Sequence, residues 1–539
     1  MTHPLDKLFH PRRIAVVGAC LNDPLRMGTR TLYDLVHSGW KGEIWPVSSR
    51  QGDLYGLPVW RSLRDLPSAP DVVLARTPQA GIDALVDDAI EVGARFLVVL
   101  AAGFAETGEQ GLAAQRHLVK RAHSGGLRIV GPQSIGLMHA SLGLPMSLSQ
   151  IMERFEMRPG PVALLAQSGA MAVSLTIRGQ QHLGLDFSLV ATFGNSADVT
   201  AAEAIDWLAG DANTRVVGLY LEGLADIDAF AQAVRRCQTA GKAVVVLRSG
   251  LSHRGAAAVA SHTASMSGDG EAFIALCRQL GVVLCESSES FLWAIKALVA
   301  PGPQDLPRVA FASISGGACA LWADHCERLA IDLPALDAPQ TAALARCLPT
   351  FLSPANPLDL GPTVFDADAF GAALTGLMLN PTTNLLVVYM FTSSPSLMGG
   401  VPKLRQLEAL ARKAGRPIWV IWEAATDEEW ALLSRSDVLT GFRDLGQAAH
   451  ALHARGRARP GLGYRAASGA AGPVRPDLGS EVAVKAWLRT HGLQVPRGAL
   501  CVDAQAVRDL MPGLGNTGVA VKIVSPQLPR NSDVGVGEL

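Results

Sequence analysis

The sequence predicts an α/β chain of three successive doubly wound parallel-sheet domains. Two observations carry that prediction. Short runs of four to six apolar residues alternate with stretches of helical periodicity, the signature of right-handed βαβ crossovers. Several of these runs end abruptly in a Gly or Ser-Gly turn, as buried parallel strands do where they feed a helix. A third observation bounds the set: residues 456–480 are rich in Gly, Ala, Arg and Pro and read as a linker.

The first unit, residues 1–145, opens with Arg13-Ile14-Ala15-Val16-Val17-Gly18-Ala19, a buried strand entering a turn. A helix is expected over 30–38, then strands at 43–47 and 71–75, a helix over 79–93, a strand at 96–100, a helix over 109–123 and a strand at 127–130. The second unit, 150–300, begins at Gly160-Pro161-Val162-Ala163-Leu164-Leu165-Ala166 and continues with strands at 187–191, 216–221 and 243–248. The third, 305–455, begins at Arg308-Val309-Ala310-Phe311-Ala312-Ser313-Ile314 and repeats the opening of the second, with Gln167-Ser168-Gly169-Ala170 echoed by Ile314-Ser315-Gly316-Gly317. After the linker, residues 481–539 hold a capped amphipathic helix at 480–491 and a strand at 518–524. So short a segment is marginal as an independent domain.

Composition excludes several classes. At 539 residues with 49% hydrophobic and 18% charged residues, the chain can bury three or four cores. A net charge of -1 gives no basic surplus for nucleic acid or an anionic membrane surface. Eight scattered cysteines, with no Cys-x-x-Cys pair, fit a reducing compartment and no zinc ribbon; no metal ligands are assigned. The first residues lack a signal-peptide core, and no apolar run reaches the ~20 residues of a spanning helix. The expectation is a soluble cytoplasmic protein.

Four places carry chemistry. His262, in Ala260-Ser261-His262-Thr263-Ala264, has small and hydroxyl neighbours that leave its ring open to a phosphate. A neutral imidazole is a competent nucleophile near neutral pH and could carry a phosphoryl group covalently; the local string by itself favours a helix-start or loop histidine whose Ser and Thr neighbours are caps. Glu222 ends the apolar strand 216–221, where a carboxylate can take the proton of one ring nitrogen and free the other, or simply be a solvated strand-end acid. Gln167-Ser168-Gly169 follows a strand and opens a helix, a turn that offers N–H groups to an anion or an ordinary N-cap. Gly18 lies at the carboxyl end of the first sheet with Arg26, Gly28 and Arg30 in the loop behind it, suited to a phosphorylated ligand. The dinucleotide fingerprint G-x-G-x-x-G is absent, since Ala19-Cys20-Leu21 follows Gly18, which weakens a nicotinamide dehydrogenase reading.

In this order the motifs resemble those of the ADP-forming acyl-CoA synthetases, the acetate–CoA ligase family related to succinyl-CoA synthetase. The resemblance runs through Val16-Val17-Gly18-Ala19 with Asn22-Asp23-Pro24, Gly103-Phe104-Ala105-Glu106-Thr107-Gly108, Gly131-Pro132-Gln133-Ser134, Gln167-Ser168-Gly169, Gly194-Asn195-Ser196, Glu222-Gly223, Ser261-His262-Thr263 and Asn356-Pro357-Leu358-Asp359. It implies Rossmann- or flavodoxin-like domains followed by a partial ATP-grasp segment. His262 would be the phosphohistidine, on a mobile loop, and Glu222 its stabiliser. Gln167, Ser168, Gly169, Ser261 and Thr263 would meet the phosphate or acyl phosphate. Gly18, Ala19, Arg26, Arg50, Thr77 and Gln133 would contact CoA, and Lys522 would contact ATP with its Mg2+.

The chain departs from the family pattern in several places. Gln133 and Ser134 stand where the family has Asn and often Cys. Ser48-Ser49-Arg50 replaces Asn-Pro-Lys, keeping the charge but not the shape. Arg530-Asn531 replaces a His-Lys pair, and the acidic, metal-binding half of ATP-grasp is missing. The expectation is therefore an acid–CoA ligase whose missing half comes from a separate subunit, from residues beyond this sequence, or from a different ATP step. A homo-oligomer is also allowed. The acid is a carboxylic acid, aromatic (a hydroxycinnamate such as ferulate) or short-chain. The rival class is a non-catalytic CoA- or acyl-CoA-binding protein derived from such a ligase.

Overall fold

The computed structural model describes residues 3–20, 23, 27–147, 150–263, 270–303, 306–390, 400–458, 481–496 and 498–513, with the backbone alone at 147, 150, 260–263 and 481. The chain divides into two compact units, Met1–Tyr464 and Arg465–Leu539.

The first unit holds three large sheets. In the first, the strands run in the order Glu43–Val47, Arg13–Val17, Val72–Ala75, Phe96–Val99, Arg128–Val130, all parallel. The third repeats this order with Leu358–Asp359, Val309–Ser313, Leu385–Met390, Ile418–Trp422 and Leu439–Phe442. The second has the same pattern in its parallel part: Val283–Cys285, Ala243–Arg248, Val216–Leu221, Val162–Ala166, Phe187–Thr192. In each sheet the first strand thus lies between the second and the third, so successive crossovers diverge from one crevice at its carboxyl edge.

The strands are continuous apolar runs because both faces are covered: every residue of Val162–Ala166, Phe187–Thr192 and Val309–Ser313 is buried. Helices start where a side chain satisfies the first N–H groups, as at Thr200 with Glu203 and Thr426 with Glu429, both reciprocal caps. One apolar cluster joins the first two sheets, from Ile14 and Val72 to Leu165 and Val217. Another joins the second and third, where Trp293 and Trp419 pack on Phe442 at 5.2 and 4.7 Å.

The second unit has helices Glu481–Thr490 and Ala504–Leu510 among its described residues. No helix among the described residues is long and apolar enough to cross a membrane.

The structure differs from the sequence reading in three places. Residues Gly136–His139 and Leu144–Ser147 form an antiparallel hairpin added to the second sheet beside Phe187–Thr192. The helix expected at 30–38 begins three residues earlier, at Met27. His262 lies not in a loop but in the last turn of the helix His253–Thr263, where three consecutive alanines favour helix. The strand expected at 518–524, Lys522, Arg26 and residues 459–480 of the linker lie outside the described residues.

Candidate functional site

The carboxyl edge of the second sheet is organised by one amide. Gln167 leaves strand Val162–Ala166, and its backbone N–H donates to the Tyr220 carbonyl, 3.1 Å. Its side-chain oxygen accepts from the N–H groups of Glu222 (2.5 Å) and Gly223 (3.0 Å). Its side-chain nitrogen donates to the Gly223 carbonyl (3.0 Å) and the Ser196 hydroxyl (3.3 Å). Both ends of the amide are consumed, so Gln167 fixes the turn after strand Val216–Leu221 and is not itself free for a ligand. Ser168 caps helix Gly169–Leu183 by accepting from Met171 N–H. The N–H groups of the helix's first turn have no partner within the helix, which leaves a seat for an anion.

Glu222 is buried, 6% exposed, which removes the solvated-acid alternative. The Tyr220 hydroxyl lies against it and donates to the Ser249 hydroxyl at 3.3 Å. Burial, partly offset by that bond to Ser249, and then the charge of Glu222 raise the Tyr220 phenol. A cleft of about 380 Å3 opens beside these groups, lined by Gln167, Asn195, Ser196, Thr200, Gly223 and Asp226 among others.

The first domain enters through Asn195. Its amide nitrogen donates to Glu106 Oε2 (2.9 Å) and Gln115 Oε1 (3.0 Å), and its oxygen accepts from Gln133 Nε2 (3.4 Å). Glu106 also accepts from the N–H groups of Gly103 and Phe104. Burial opposes its charge, yet the bonds from Asn195 and the backbone hold the carboxyl below its usual range. The helix His253–Thr263 packs against the turn Ala105–Thr107 that carries Glu106. The backbone of the Ser261-His262-Thr263 segment therefore belongs to the element that packs on the turn carrying this carboxylate; the side chains of Ser261, His262 and Thr263 lie outside the described residues.

In the sequence Glu106 and Asn195 stand out only as parts of the motifs Gly103–Gly108 and Gly194-Asn195-Ser196. The signal missed was their chemistry: an acid and an amide in glycine-flanked turns, separated by 89 positions. Gln133, in a left-handed conformation at φ 60°, donates through its Nε2 to the Asn195 side-chain oxygen.

The other candidates sit at the first sheet. Gly18 has φ 97°, and a Cβ there would lie 2.6 Å from the Arg76 carbonyl. Gly28, in the first turn of helix Met27–His37, could carry no Cβ either, since it would lie 2.6 Å from the Gly18 carbonyl. Ala19 is buried beside them, and Thr29 ties the turn through the backbone of Cys20. Thr77 follows Arg76, and its hydroxyl is buried without a partner. Arg50 lies beyond strand Glu43–Val47, largely exposed.

The third sheet repeats the capped turn: Ser315 accepts from Ala318 N–H at 3.2 Å and opens helix Gly316–Arg328. Here, however, the Asp359 carboxylate stands 2.9 Å from where a Cβ on Gly316 would be, and its other oxygen accepts from Gly361 N–H at 2.9 Å.

Comparison with known proteins bears on the same segments. The family described as "CoA binding domain" matches residues 12–140, and "Succinyl-CoA ligase like flavodoxin domain" matches 159–298. The alpha subunit of acetate–CoA ligase [ADP-forming] II of Pyrococcus furiosus is 29% identical over 458 residues, 83% of this chain and 97% of that one. A trans-feruloyl-CoA synthase from an unknown prokaryotic organism is 28% identical, covering 73% of this chain and 56% of its own length. Among solved structures, the dinucleotide-forming acetyl-coenzyme A synthetase 1 of Ca. Korarchaeum cryptofilum, in complex with phosphate and ADP, superimposes with a TM-score of 0.76 at 27% identity, over 84% of this chain and 97% of that one.

Proposed function

We propose that the chain is an acid–thiol ligase of the ADP-forming acyl-CoA synthetases, related to succinyl-CoA synthetase, and that it joins a carboxylic acid to CoA through a phosphoryl group carried on His262. A ring nitrogen of His262 attacks the γ-phosphorus of ATP and releases ADP. The substrate carboxylate then takes the phosphoryl group and frees the imidazole. The CoA thiolate attacks the acyl carbon, and phosphate leaves with the bonding electron pair. Glu222 accepts the proton of the second ring nitrogen as the first attacks, which stabilises the phosphohistidine, and returns that proton when the phosphoryl group departs. The first turn of helix Gly169–Leu183, with Ser168 at its cap, receives the phosphoryl group, since preorganised N–H groups are where such transfer gains most.

The observation that carries this reading is the buried Glu222, whose N–H is held by Gln167 beside a cleft that Asn195 also lines, together with the packing of the His262 helix on the turn Ala105–Thr107, whose Glu106 accepts from Asn195. Among the described residues no group of three or more His, Cys, Asp or Glu is placed to hold a metal ion. Mg2+ enters as part of the nucleotide substrate, and no step is assigned to it. The P. furiosus relative is named as an alpha subunit. That supports an ATP-grasp subunit acting as a separate partner, with Lys522 on the nucleotide side. The relatives' names include acetate, feruloyl and 4-hydroxybutyrate ligases, which supports an aromatic or short-chain carboxylic acid as the substrate.

The test is incubation with γ-labelled ATP, with and without a cognate ATP-grasp subunit, followed by a search for acid-labile, base-stable label. Wild type should carry label at His262, and His262→Ala should carry none and consume no CoA thiol across an acid panel. Equal thiol consumption by the two proteins would defeat the mechanism. CoA binding without any label would favour the non-catalytic binding protein.

A further inference from the structure

Arg76 is 7% exposed, and none of its three guanidinium nitrogens has a hydrogen-bond partner. No other buried cation among the described residues leaves all of its side-chain nitrogens unsatisfied. Lys242, Lys403 and Arg455, for comparison, each donate to backbone carbonyls. Burial alone drives the Arg76 pKa far down, with no carboxylate near enough to oppose it. A guanidinium stays charged in proteins, so the structure contains an uncompensated positive charge.

Its position in the fold is informative. Arg76 directly follows strand Val72–Ala75, and its N–H donates to the Val17 carbonyl of the adjacent strand Arg13–Val17 at 2.9 Å. These two neighbours are the strands between which the crossovers of the first sheet diverge, the crevice where open α/β sheets take their ligands. The Arg76 side chain starts beside the Gly18 turn, its Cβ 3.2 Å from where a Cβ on Gly18 would stand. On the other side of Gly18 packs the first turn of helix Met27–His37. The buried, unpartnered hydroxyl of Thr77 follows in sequence. A buried cation beside the glycine turn that receives this helix's first turn, with a buried hydroxyl next to it in sequence, suits a phosphoryl oxygen.

We propose that Arg76, with Thr77, is the anchor for a phosphoryl group of bound CoA, and that the coenzyme's negative charge completes the core of this domain. The inference rests on the CoA reading above and adds a residue and an energetic consequence to it. Without ligand, Arg76 destabilises the first domain; with ligand, it forms a desolvated ion pair. Binding and stability therefore respond to this residue in opposite senses.

The experiment is calorimetric titration of wild type, Arg76→Met and Arg76→Lys with CoA, dephospho-CoA and pantetheine, with melting curves of each protein alone and with inorganic pyrophosphate. Arg76→Met should weaken CoA about ten- to hundredfold, the range of a buried charge-assisted bond. It should leave pantetheine unaffected and raise the ligand-free melting temperature. Arg76→Lys should fall between. A loss retained with dephospho-CoA assigns the diphosphate; a loss confined to CoA assigns the 3′-phosphate. Equal CoA affinity in wild type and Arg76→Met, or a lower ligand-free melting temperature in Arg76→Met, overturns the proposal. If wild type ignores CoA yet gains stability from pyrophosphate only when Arg76 is present, the anion seat stands and the coenzyme reading falls.

Discussion

Single side chains set the working parts of this site, and Gln167 is the clearest. Replacing it with Ala leaves the N–H groups of Glu222 and Gly223 without their acceptor. Chemical denaturation of Gln167→Ala should show a loss on the order of 2–3 kcal/mol, and the acyl-CoA rate should fall because Glu222 is no longer held. His139 gives a separate, pH-dependent signal. It is 1% exposed and neither ring nitrogen has a partner. Burial first, then the nearby His10, push its imidazole down from 6.5 to about 4, with Asp211 opposing weakly. Between these values the unfolded chain binds a proton that the folded chain does not. The stability His139 contributes is thus complete above pH 6.5 and is lost as pH falls toward 4, up to about 3 kcal/mol. His139→Phe should flatten the stability profile across that window; an unchanged slope there would contradict the assignment.

At the scale of elements, the turns matter more than the strands. Gly194 has φ 50°, and a Cβ on it would lie 1.9 Å from the Pro132 carbonyl. Gly194→Ala should therefore cost on the order of 2–4 kcal/mol, seen as a lowered melting temperature, because the loop it opens delivers Asn195 to Glu106. The parallel strands themselves were legible from sequence, since burial on both faces leaves continuous apolar runs such as Val162–Ala166 and Val216–Leu221. The hairpin Gly136–Ser147 was not: each strand is four residues long, and His139 and Pro145 interrupt its apolar pattern. Glu222 was legible as a strand-end acid, but its burial was not, because that depends on an amide 55 positions away. The His262 segment read as a loop because its small residues fit a turn and a helix alike; its alanines favour the helix.

For the whole molecule, the first two domains are tied by a charge network as well as by a shared core. Arg128, on the edge strand of the first sheet, donates to Asp198 at 2.8 Å and to Glu203 at 3.0 Å in the second domain. Burial works against its charge, yet Asp198 and Glu203 hold its pKa above the usual value. Asp198 also accepts from the Ile129 N–H at 2.7 Å. Asp198→Ala should cost on the order of 3 kcal/mol and broaden or split the denaturant transition; a single transition at the wild-type midpoint would show the domains to be coupled by apolar packing alone. The three sheets share one strand order, but their crevices are not equivalent. At Gly316 the protein's own Asp359 already supplies the negative group that such a helix end attracts. An incoming phosphoryl group would meet repulsion there instead of a welcome. The triplicated architecture thereby has one port that already carries a carboxylate of its own.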